Sequence, residues 1–337
     1  MTARAARLTV TPNGLPLFAL HADELHAPLS ARARRKPCKA AAEQVSRVIS
    51  AKPEETEEIE TEKAACPLGE PVRFHLMPRC GWNGCLRKLR CAAKNMVNWK
   101  GCGPAPLPPP YPCWLLPSSD ESAVRIATRQ DELRALGWKL LTCPPHVVQG
   151  LGNKAKLRDT AERLGLLAHL PEHYQSPEDA RYPCMLKSAT GMFGKDCHIV
   201  QSREKVLQTA PAGLGAQWVL QELVTGCVEY STSLLVDRGT IRDAVTTAYE
   251  AASDAYVWPN VRKVGKAPHA TSDEHLAIMQ AFLREYSGIC NFNYKLRDNG
   301  GLCIFEVNAR VGGDLACDVP AARARELFEL LDTLPPC

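Results

Sequence analysis

From residue 113 onward, apolar and polar positions follow the two periods of regular secondary structure. Apolar residues either recur about every 3.6 positions, as in an amphipathic helix, or alternate, as in a half-buried strand. These patterns predict helices over 121–136, 154–164 and 272–286. They predict strands over 138–141, 184–187, 198–201, 218–222, 230–237, 240–248, 290–297 and 302–307.

The last four of these strands are expected to pair as two hairpins. Their connections, 237–239 and 298–301, contain the glycine that tight turns favour. Such a mixture of hairpins and helices predicts an α+β fold with mostly antiparallel sheets.

The chain before residue 113 has a different character. Fifteen of the 26 prolines lie at or before Pro117. A basic run at 31–36, an acidic run at 54–63 and a proline-rich run at 104–112 are typical of solvated or extended segments. We therefore predict that 1–112 is a largely irregular region rich in proline and cysteine, with one helix around 40–50.

Composition and charge exclude several classes of protein. The 337 residues are 45% hydrophobic and carry a net charge of +4, from 41 basic and 37 acidic residues. No stretch of about 18 residues is continuously apolar, so no transmembrane helix is predicted. The charge is balanced and the basic residues are not interleaved with aromatic ones, so neither nucleic acid nor a membrane is an expected partner.

Cysteine usage bears on the compartment. Fifteen cysteines are scattered along the chain, and no apolar signal sequence follows Met1. An odd, scattered set favours free thiols in a reducing compartment, the cytoplasm. The first 50 residues are rich in arginine and poor in acids, which is also compatible with an organelle transit peptide.

A group of cysteines in the first region suggests a metal-binding alternative. Cys80, Cys85, Cys91 and Cys102 lie close together, with His75 just upstream. Zinc sites present their cysteines as tight pairs, whereas here one spacing is at the limit and the other is far outside it. A zinc-dependent interaction module is therefore kept as an alternative, and ordinary cysteines are the simpler interpretation.

Three segments carry residues suited to nucleotide chemistry. The first, 183–195, delivers Lys187 on a strand and continues into a loop with Gly191, Gly194 and Lys195. Glycines let backbone N–H groups approach phosphate oxygens, and lysines supply positive charge. The loop lies between strands, unlike the Walker motif, which enters a helix. An ordinary glycine-rich hairpin is the alternative for this segment alone.

The second segment places Glu306, Asn308 and Arg310 at alternate positions of a strand, and therefore on one face of a sheet. Oxygens of Glu and Asn are hard ligands suited to Mg²⁺, and an arginine beside them can pair with a phosphate. Asn293, on the preceding strand, would lie near Glu306 if the hairpin forms. The alternative is a solvated sheet face.

The third segment is an apolar strand that runs into Glu222 and is followed by Gly226 and Glu229. Taken alone, it is an ordinary strand and turn. Its interest comes from its position between the other two segments.

In this order the three segments resemble the ATP-grasp superfamily. Asn153-Lys154, which opens a helix, adds a fourth match, and the resemblance covers roughly 143–320. The strongest segment is Glu306-Val-Asn-Ala-Arg-Val-Gly-Gly313. The similarity is closest to carbamoyl-phosphate-synthase-like and biotin-carboxylase-like ATP-grasp domains.

The resemblance implies a fold and a place for the nucleotide. Two α+β subdomains would clasp ATP between antiparallel sheets. Lys154 and Lys187 would hold the α- and β-phosphates, and the loop 190–195 would close over the β- and γ-phosphates. Arg310 would stabilise the transferred phosphoryl group.

The resemblance also assigns the rest of the nucleotide. Glu222 and the backbone of Leu223 and Val224 would receive the adenine amine at the hinge between subdomains. Glu229 would take the ribose hydroxyls.

Metal binding follows from the same resemblance. Glu306 and Asn308 would bind Mg²⁺, with Mn²⁺ as an alternative, and Glu306 would bridge two ions. Asn293 is the third expected ligand, although relatives more often have Glu, Gln or Asp there, so one metal would be bound more weakly.

The domain organisation implied by the resemblance has three parts. Residues 1–112 form the irregular region, 113–150 the remnant of a pre-ATP-grasp domain, and 151–330 the ATP-grasp domain. Many relatives dimerise, so a homodimer is compatible with the resemblance.

The resemblance implies an ATP-dependent ligase that activates a carboxylate as an acyl phosphate for attack by an amine or similar nucleophile. The substrate would lie between the glycine loop and the segment 249–266, whose Arg262, Lys263 and Lys266 are candidates to receive its carboxylate. A solvated basic loop is the alternative for this segment. Two alternatives remain. One is a kinase of the same fold that phosphorylates a small molecule, and the other is a nucleotide-binding regulatory module with little turnover.

Overall fold

The computed structural model describes residues 74–77, 96–98, 109, 113–190, 196–215 and 217–337. Several predictions fall outside these residues. They are the basic and acidic runs, the helix around 40–50, the four clustered cysteines, and the loop residues Gly191, Gly194 and Lys195.

The strands and helices of the described residues are numbered in chain order. The first are β1 (Phe74–Leu76), β2 (Met96–Asn98), β3 (Trp114–Leu116), α1 (Asp120–Thr128), α2 (Gln130–Ala135), α3 (Pro145–Gly152) and α4 (Lys154–Leu164). They are followed by β4 (His173–Tyr174), β5 (Cys184–Ser188), β6 (Cys197–Val200), α5 (Arg203–Thr209) and β7 (Trp218–Glu222). The last are β8 (Val228–Asp237), β9 (Thr240–Ala251), β10 (Lys263–His269), α6 (Asp273–Phe282), β11 (Gly288–Leu296), β12 (Leu302–Asn308), α7 (Gly313–Cys317) and α8 (Ala321–Thr333).

A small parallel sheet has the strand order β2-β1-β3. Phe74 pairs in register with Met96 on one side and with Trp114 on the other. Phe74, Leu76 and Trp114 are buried in one core with α8. The prediction for 1–112 did not include β1 and β2, because strands of three residues are too short to show a periodic pattern.

A four-stranded antiparallel sheet has the order β4-β7-β5-β6. Leu186 and Leu220 are buried on one face, in a core that α5 covers. Successive side chains of a strand point to opposite faces, so Met185, Lys187 and Gln221 lie on the other face and line a cavity.

A five-stranded antiparallel sheet has the order β10-β9-β8-β11-β12. Both predicted hairpins, β8–β9 and β11–β12, are present, and Asn293 lies opposite Glu306 as expected. Tyr230, Phe292 and Ile304 belong to the core that packs against α3, α4 and α6. The two antiparallel sheets with their helices confirm the predicted α+β fold.

The turn between β8 and β9 depends on a glycine. Gly239 has a positive φ of 75°, and a Cβ atom there would lie 2.5 Å from the carbonyl oxygen of Arg284. Only glycine fits this close approach of two backbone segments. This close approach explains why the turn of the predicted hairpin has a glycine at position 239.

Some element bounds differ from the prediction. The helix predicted over 121–136 is divided into α1 and α2, because Arg129 leaves helical geometry with φ −109° and ψ 21°. The strand predicted over 138–141 contributes one bridge, from Lys139 to Trp114. The helices α3, α5, α7 and α8 and the strands β4 and β10 were not predicted. β10 carries polar residues on both faces and so lacks an apolar alternation.

The aromatic anchor of α8 gives a test of this packing. Phe328 is 1% exposed, and its ring lies edge-on to Phe74 with centroids 5.6 Å apart. We expect Phe328→Ala to lower the free energy of unfolding by about 3–5 kcal/mol, because it leaves a cavity between the helix and β1. Urea denaturation followed by circular dichroism measures the change.

The matched control is Glu329→Ala, at an exposed position next to Phe328 on the same helix. We expect its effect to stay within about 0.5 kcal/mol. Equal losses in the two variants would contradict the packing described for α8.

Candidate functional site

A cavity of about 510 Å³ lies between the four-stranded and the five-stranded sheets. The four-stranded sheet contributes Lys187 and Gln221, and the five-stranded sheet contributes Glu229, Asn293 and Glu306. Both sheets turn polar side chains toward it, whereas their other faces form apolar cores. Polar faces of two sheets that meet around a cavity are suited to a charged ligand.

Lys154 enters the cavity from the first turn of α4. Asn153 caps this helix, and its Oδ1 accepts hydrogen bonds from the backbone of Ala155 (3.0 Å) and Lys156 (3.2 Å). The backbone N–H of Lys154 donates to Ala189 at the end of β5 (3.1 Å). Its buried Nζ donates to Glu306 Oε1 at 3.0 Å, which links the helix to β12.

Lys187 lies on β5 and is also buried. Its Nζ donates to the carbonyl oxygen of Phe305 at 3.2 Å. Burial, together with the nearby ammonium of Lys154, lowers the pKa of Lys187 to about 8. Two lysines thus lie against the strand that carries Glu306, and together with Arg310 they make the charge close to this one carboxylate net positive.

Glu306 is the carboxylate between these cations. Burial alone would raise its pKa, but the attraction of Lys154, Arg310 and Lys187 outweighs burial, and the pKa is lowered. Its Oε2 lies 3.5 Å from Nδ2 of Asn293 on β11. Glu306 is therefore held ionised.

Arg310 follows β12 and is buried. Its Nη2 donates to Oδ1 of Asn308 at 2.8 Å, and its Nη1 donates to the carbonyl of Val311 at 3.3 Å. Its Nε lies 3.4 Å from Oδ1 of Asp120, at the start of α1. These contacts keep the guanidinium beside Asn308 and at the cavity wall.

The predicted metal ligands lie together. Asn293, Glu306 and Asn308 line the cavity from β11 and β12. They offer carboxylate and amide oxygens, a donor set that fits a hard cation held in part by the phosphates of a ligand. In the described part of the chain there is no group of three His, Cys, Asp or Glu side chains suited to hold a metal ion by itself.

The predicted hinge residues Glu222, Leu223 and Val224 also line the cavity. Arg297 donates to both carboxylate oxygens of Glu222, at 2.5 and 2.8 Å, and the backbone N–H of Glu172 donates to Oε2 at 3.1 Å. This carboxylate is therefore already hydrogen-bonded on both oxygens, which leaves backbone groups and other side chains to contact a ligand here.

Glu229 lines the cavity from β8. The hydroxyl of Tyr256 donates to its Oε2 at 3.1 Å. Burial raises the pKa of Glu229, and Lys295 and Tyr256 oppose that change. Lys295 Nζ lies 4.1 Å from the centre of the Tyr256 ring and donates to the carbonyl of Val224 at 3.2 Å.

The basic residues predicted to receive a carboxylate are separated by the structure. Lys263 lines the cavity, whereas Arg262 is exposed and Lys266 forms an ion pair with Asp318. Tyr249 donates to the same Asp318 at 2.7 Å. Lys263 is thus the member of the predicted trio that faces the cavity.

Among the polar residues that line the cavity and were not predicted are Gln221, Asn291, Lys295 and Asp314. Asn291 and Lys295 alternate with Asn293 on a predicted strand, so the period of two was a sufficient signal for them. Asp314 accepts hydrogen bonds from Ser233 (3.1 Å) and Asn291 (3.0 Å), and burial raises its pKa to about 6. No sequence pattern marks Asp314 or Gln221.

Comparisons with known proteins bear on the fold. Residues 160–317 match the family model described as carbamoyl-phosphate synthase L chain, ATP binding domain. No curated protein matched the chain in a sequence comparison.

Among solved structures, D-alanine–D-alanine ligase from Bacillus anthracis has a TM-score of 0.51 at 12% identity, covering 78% of this chain and 96% of that one. A D-cycloserine synthetase has a TM-score of 0.50 at 13% identity, covering 77% and 98%. An L-amino acid ligase from Bacillus licheniformis has a TM-score of 0.48 at 14% identity, covering 64% of this chain but 55% of that one. This chain therefore spans about half the length of the last enzyme.

The family match and the first two structures identify the fold as ATP-grasp, as the sequence motifs predicted.

A search of the helices in the described ranges found none with the length and apolar character of a membrane span.

His173, on the strand next to Gln221, gives a pH test of the structure beside this site. Burial, followed by repulsion from Lys187 and Arg158, lowers the pKa of His173 to about 4. In the unfolded chain a histidine takes up a proton near pH 6.5. Between about pH 6.5 and 4 the unfolded state therefore binds more protons, and we expect the free energy of unfolding to fall as the pH is lowered.

The contribution of His173 is isolated by comparison with His173→Gln. We expect the loss of stability between pH 7 and pH 4.5 to be smaller in the variant, by at most about 2 kcal/mol after allowance for partial solvent screening. Urea titrations at the two pH values measure it. An identical pH dependence in both proteins would contradict a lowered pKa of His173 in the folded state.

Proposed function

We propose that this chain is an ATP-dependent ligase that activates a carboxylate as an acyl phosphate, which an amine or a similar nucleophile then attacks. The observation that carries the proposal is the placement of buried Lys154 and Lys187 beside the carboxylate of Glu306. Two buried ammonium groups with one carboxylate are costly without an anionic ligand. A triphosphate supplies that anion.

We propose a place for the nucleotide from the residues that line the cavity. The phosphates would lie against Lys154 and Lys187, the base at 222–224 and the ribose at Glu229, and all of these residues line the cavity. The loop 190–195 is the proposed cover of the phosphates, as the resemblance implies.

Glu306, Asn308 and Asn293 are the proposed ligands of Mg²⁺, with Mn²⁺ as a substitute. One carboxylate and two neutral amides supply less negative charge than a site that binds a divalent cation without a nucleotide. We therefore expect the cation to enter together with ATP. When bound, Mg²⁺ neutralises charge on the phosphates.

The reaction has two steps. A carboxylate oxygen of the substrate attacks the γ-phosphorus of ATP, the bond from phosphorus to the bridging oxygen breaks, and ADP leaves. The acceptor nitrogen then attacks the acyl carbon, inorganic phosphate leaves, and the nitrogen loses a proton. Arg310, fixed by Asn308 and Asp120, lies where the transferred phosphoryl group gathers negative charge.

Lys263 is the proposed contact for the substrate carboxylate. Its Nζ lies 4.2 Å from the centre of the Tyr249 ring and 5.8 Å from that of Trp258. No carboxylate oxygen in the described part of the chain lies within 4 Å of it, whereas Lys266 is already paired with Asp318. Burial lowers the pKa of Lys263, which indicates that a substrate anion there would meet a partly desolvated cation.

We also propose that 113–150 is the end of a small domain that precedes the ATP-grasp domain. The parallel sheet supports this, because β3 adds to β1 and β2 and is not part of either antiparallel sheet.

Nucleotide binding is tested by thermal denaturation with Mg²⁺ and ATP. A ligand at about 100 times its dissociation constant stabilises the folded state by about 2.7 kcal/mol, which raises the melting temperature by several degrees. We expect this rise in the wild type and its loss in Glu306→Gln, which keeps an acceptor for Lys154 but removes the charge.

The control is Glu250→Gln, which alters another glutamate at the cavity wall that has no proposed role in metal or phosphate binding. We expect this variant to keep the Mg²⁺-dependent rise. A folded wild type that shows no rise would overturn the proposed function.

The ligase chemistry is tested by trapping with hydroxylamine, which converts an acyl phosphate into a hydroxamate. We expect at least one carboxylate of a panel to give hydroxamate and ADP in equal amounts. Lys263→Gln should raise the KM for that carboxylate about tenfold or more while the KM for ATP stays within about twofold. Lys266→Gln is the control, and release of ADP with a phosphorylated product but no hydroxamate would indicate a kinase.

A further inference from the structure

An exposed tryptophan lies at the rim of the cavity, and the proposed function gives it no role. Trp258 belongs to the loop 252–262 between β9 and β10 and lines the cavity, yet it is 42% exposed. The other three tryptophans of the described residues, Trp114, Trp138 and Trp218, are buried or half-buried. Because burial of a large aromatic surface is favourable, a ligand that covers this ring gains free energy that the folded chain alone does not.

The loop holds this ring in place. The backbone N–H of Asn260 donates to the carbonyl of Val257 at 2.8 Å, which closes a turn around Trp258. The N–H of Gly226 donates to the carbonyl of Asp254 at 2.9 Å, which ties the loop to the segment between β7 and β8. The ring is therefore positioned before a ligand binds, and little conformational entropy is lost when a ligand packs on it.

The charge beside the ring restricts the kind of ligand. Nζ of Lys263 lies 5.8 Å from the centre of the Trp258 ring, and Lys263 is the proposed contact for the substrate carboxylate. A ligand whose carboxylate pairs with Lys263 would bring its next few atoms within reach of the indole. Val257, which is half-buried and also lines the cavity, adds apolar surface beside it. A cation next to an apolar wall suits an anion with an apolar body better than a small hydrophilic anion.

We propose that the carboxylate substrate carries an aromatic ring, which packs on the indole of Trp258 while the carboxylate contacts Lys263, and that Trp258 selects for this ring. Pairs of aromatic rings are more favourable than their buried area alone would give. A short chain between ring and carboxylate would span the distance from the indole to Lys263. The inference rests on the proposed function and names its substrate class, which is arylalkanoates and aromatic amino acids.

The test compares carboxylates that differ only by a phenyl ring: phenylacetate with acetate, and L-phenylalanine with L-alanine. Isothermal titration calorimetry gives their dissociation constants for the full chain loaded with Mg²⁺ and the non-hydrolysable β,γ-imido analogue of ATP. In at least one pair, we expect the wild type to bind the member with the ring at least about tenfold more tightly. In Trp258→Ala this ratio should fall to within about twofold, because the member with the ring binds more weakly.

The ratio separates packing on the indole from mere support of Lys263. Loss of support for the lysine would weaken both members of a pair equally and leave the ratio unchanged. Trp258→Phe keeps an aromatic face and should keep the ratio within about threefold of that of the wild type. The matched control is Leu207→Ala, since Leu207 is similarly exposed, at 44%, but lies on α5, outside the set of residues that line the cavity. It should leave the ratio unchanged.

Circular dichroism shows which variants fold. If Trp258→Ala does not fold, Trp258→Gln, which keeps a long side chain without a ring, should lower the ratio in the same way. Equal affinity of the nucleotide-loaded wild type for both members of each pair, absence of binding included, would overturn the inference. So would an unchanged ratio in a folded variant that lacks the ring, or an equal fall in Leu207→Ala.

Each of these results leaves the proposed function in place, because the nucleotide analogue still binds and a carboxylate of another class can be the substrate. A folded wild type that does not bind the analogue in the presence of Mg²⁺ would overturn the proposed function, and the inference with it.

Discussion

The cavity depends on one electrostatic constraint: two buried ammonium groups lie beside a single carboxylate. Lys154 reaches Glu306 from α4, and Lys187 reaches the backbone of β12 from the opposite sheet. Charges taken out of water are costly unless they are paired, and close to Glu306 two ammonium groups and the guanidinium of Arg310 surround one carboxylate. The protein holds these groups in place through the cap of α4, the antiparallel pairing of β5 and the register of β11 with β12. An anion bound between the sheets would compensate the excess, which is why the arrangement favours a nucleotide site over a structural ion pair.

The alternation of side chains along strands explains how both sheets direct charged and polar groups into one cavity. One face of each sheet is apolar and packs on helices, so every second residue is directed to the cavity. On the five-stranded sheet this places Asn293, Glu306 and Asn308 side by side, and on the four-stranded sheet it places Lys187 and Gln221 on one wall. Gln221, which is uncharged, and Glu222, whose carboxylate is paired with Arg297, line the same cavity.

Much of this arrangement could be predicted from the sequence, because its information is local. A spacing of two along the chain indicates that Glu306, Asn308 and Arg310 share one face of a strand. The hairpin turn places Asn293 opposite Glu306. Other features depend on contacts between distant segments and leave no local pattern. The bidentate pair of Arg297 with Glu222 joins residues 75 positions apart, and the contact of Gln221 with His173 spans 48. The short strands β1 and β2 were missed because three residues do not show a period, and the division between α1 and α2 depends on the backbone geometry of one residue, Arg129.

The central claim is that the buried ammonium groups of Lys154 and Lys187 bind the phosphates of a triphosphate. The variant Lys187→Met tests this claim most directly. Methionine keeps the length of the side chain and removes the ammonium. The account predicts changes of opposite sign: the ligand-free variant is as stable as the wild type or more stable, because a poorly compensated charge is removed, while Mg²⁺–ATP binds at least about 30-fold more weakly by calorimetry. A variant that is destabilised but binds ATP as tightly as the wild type would contradict the account, because Lys187 would then be a structural cation and the cavity would need another ligand.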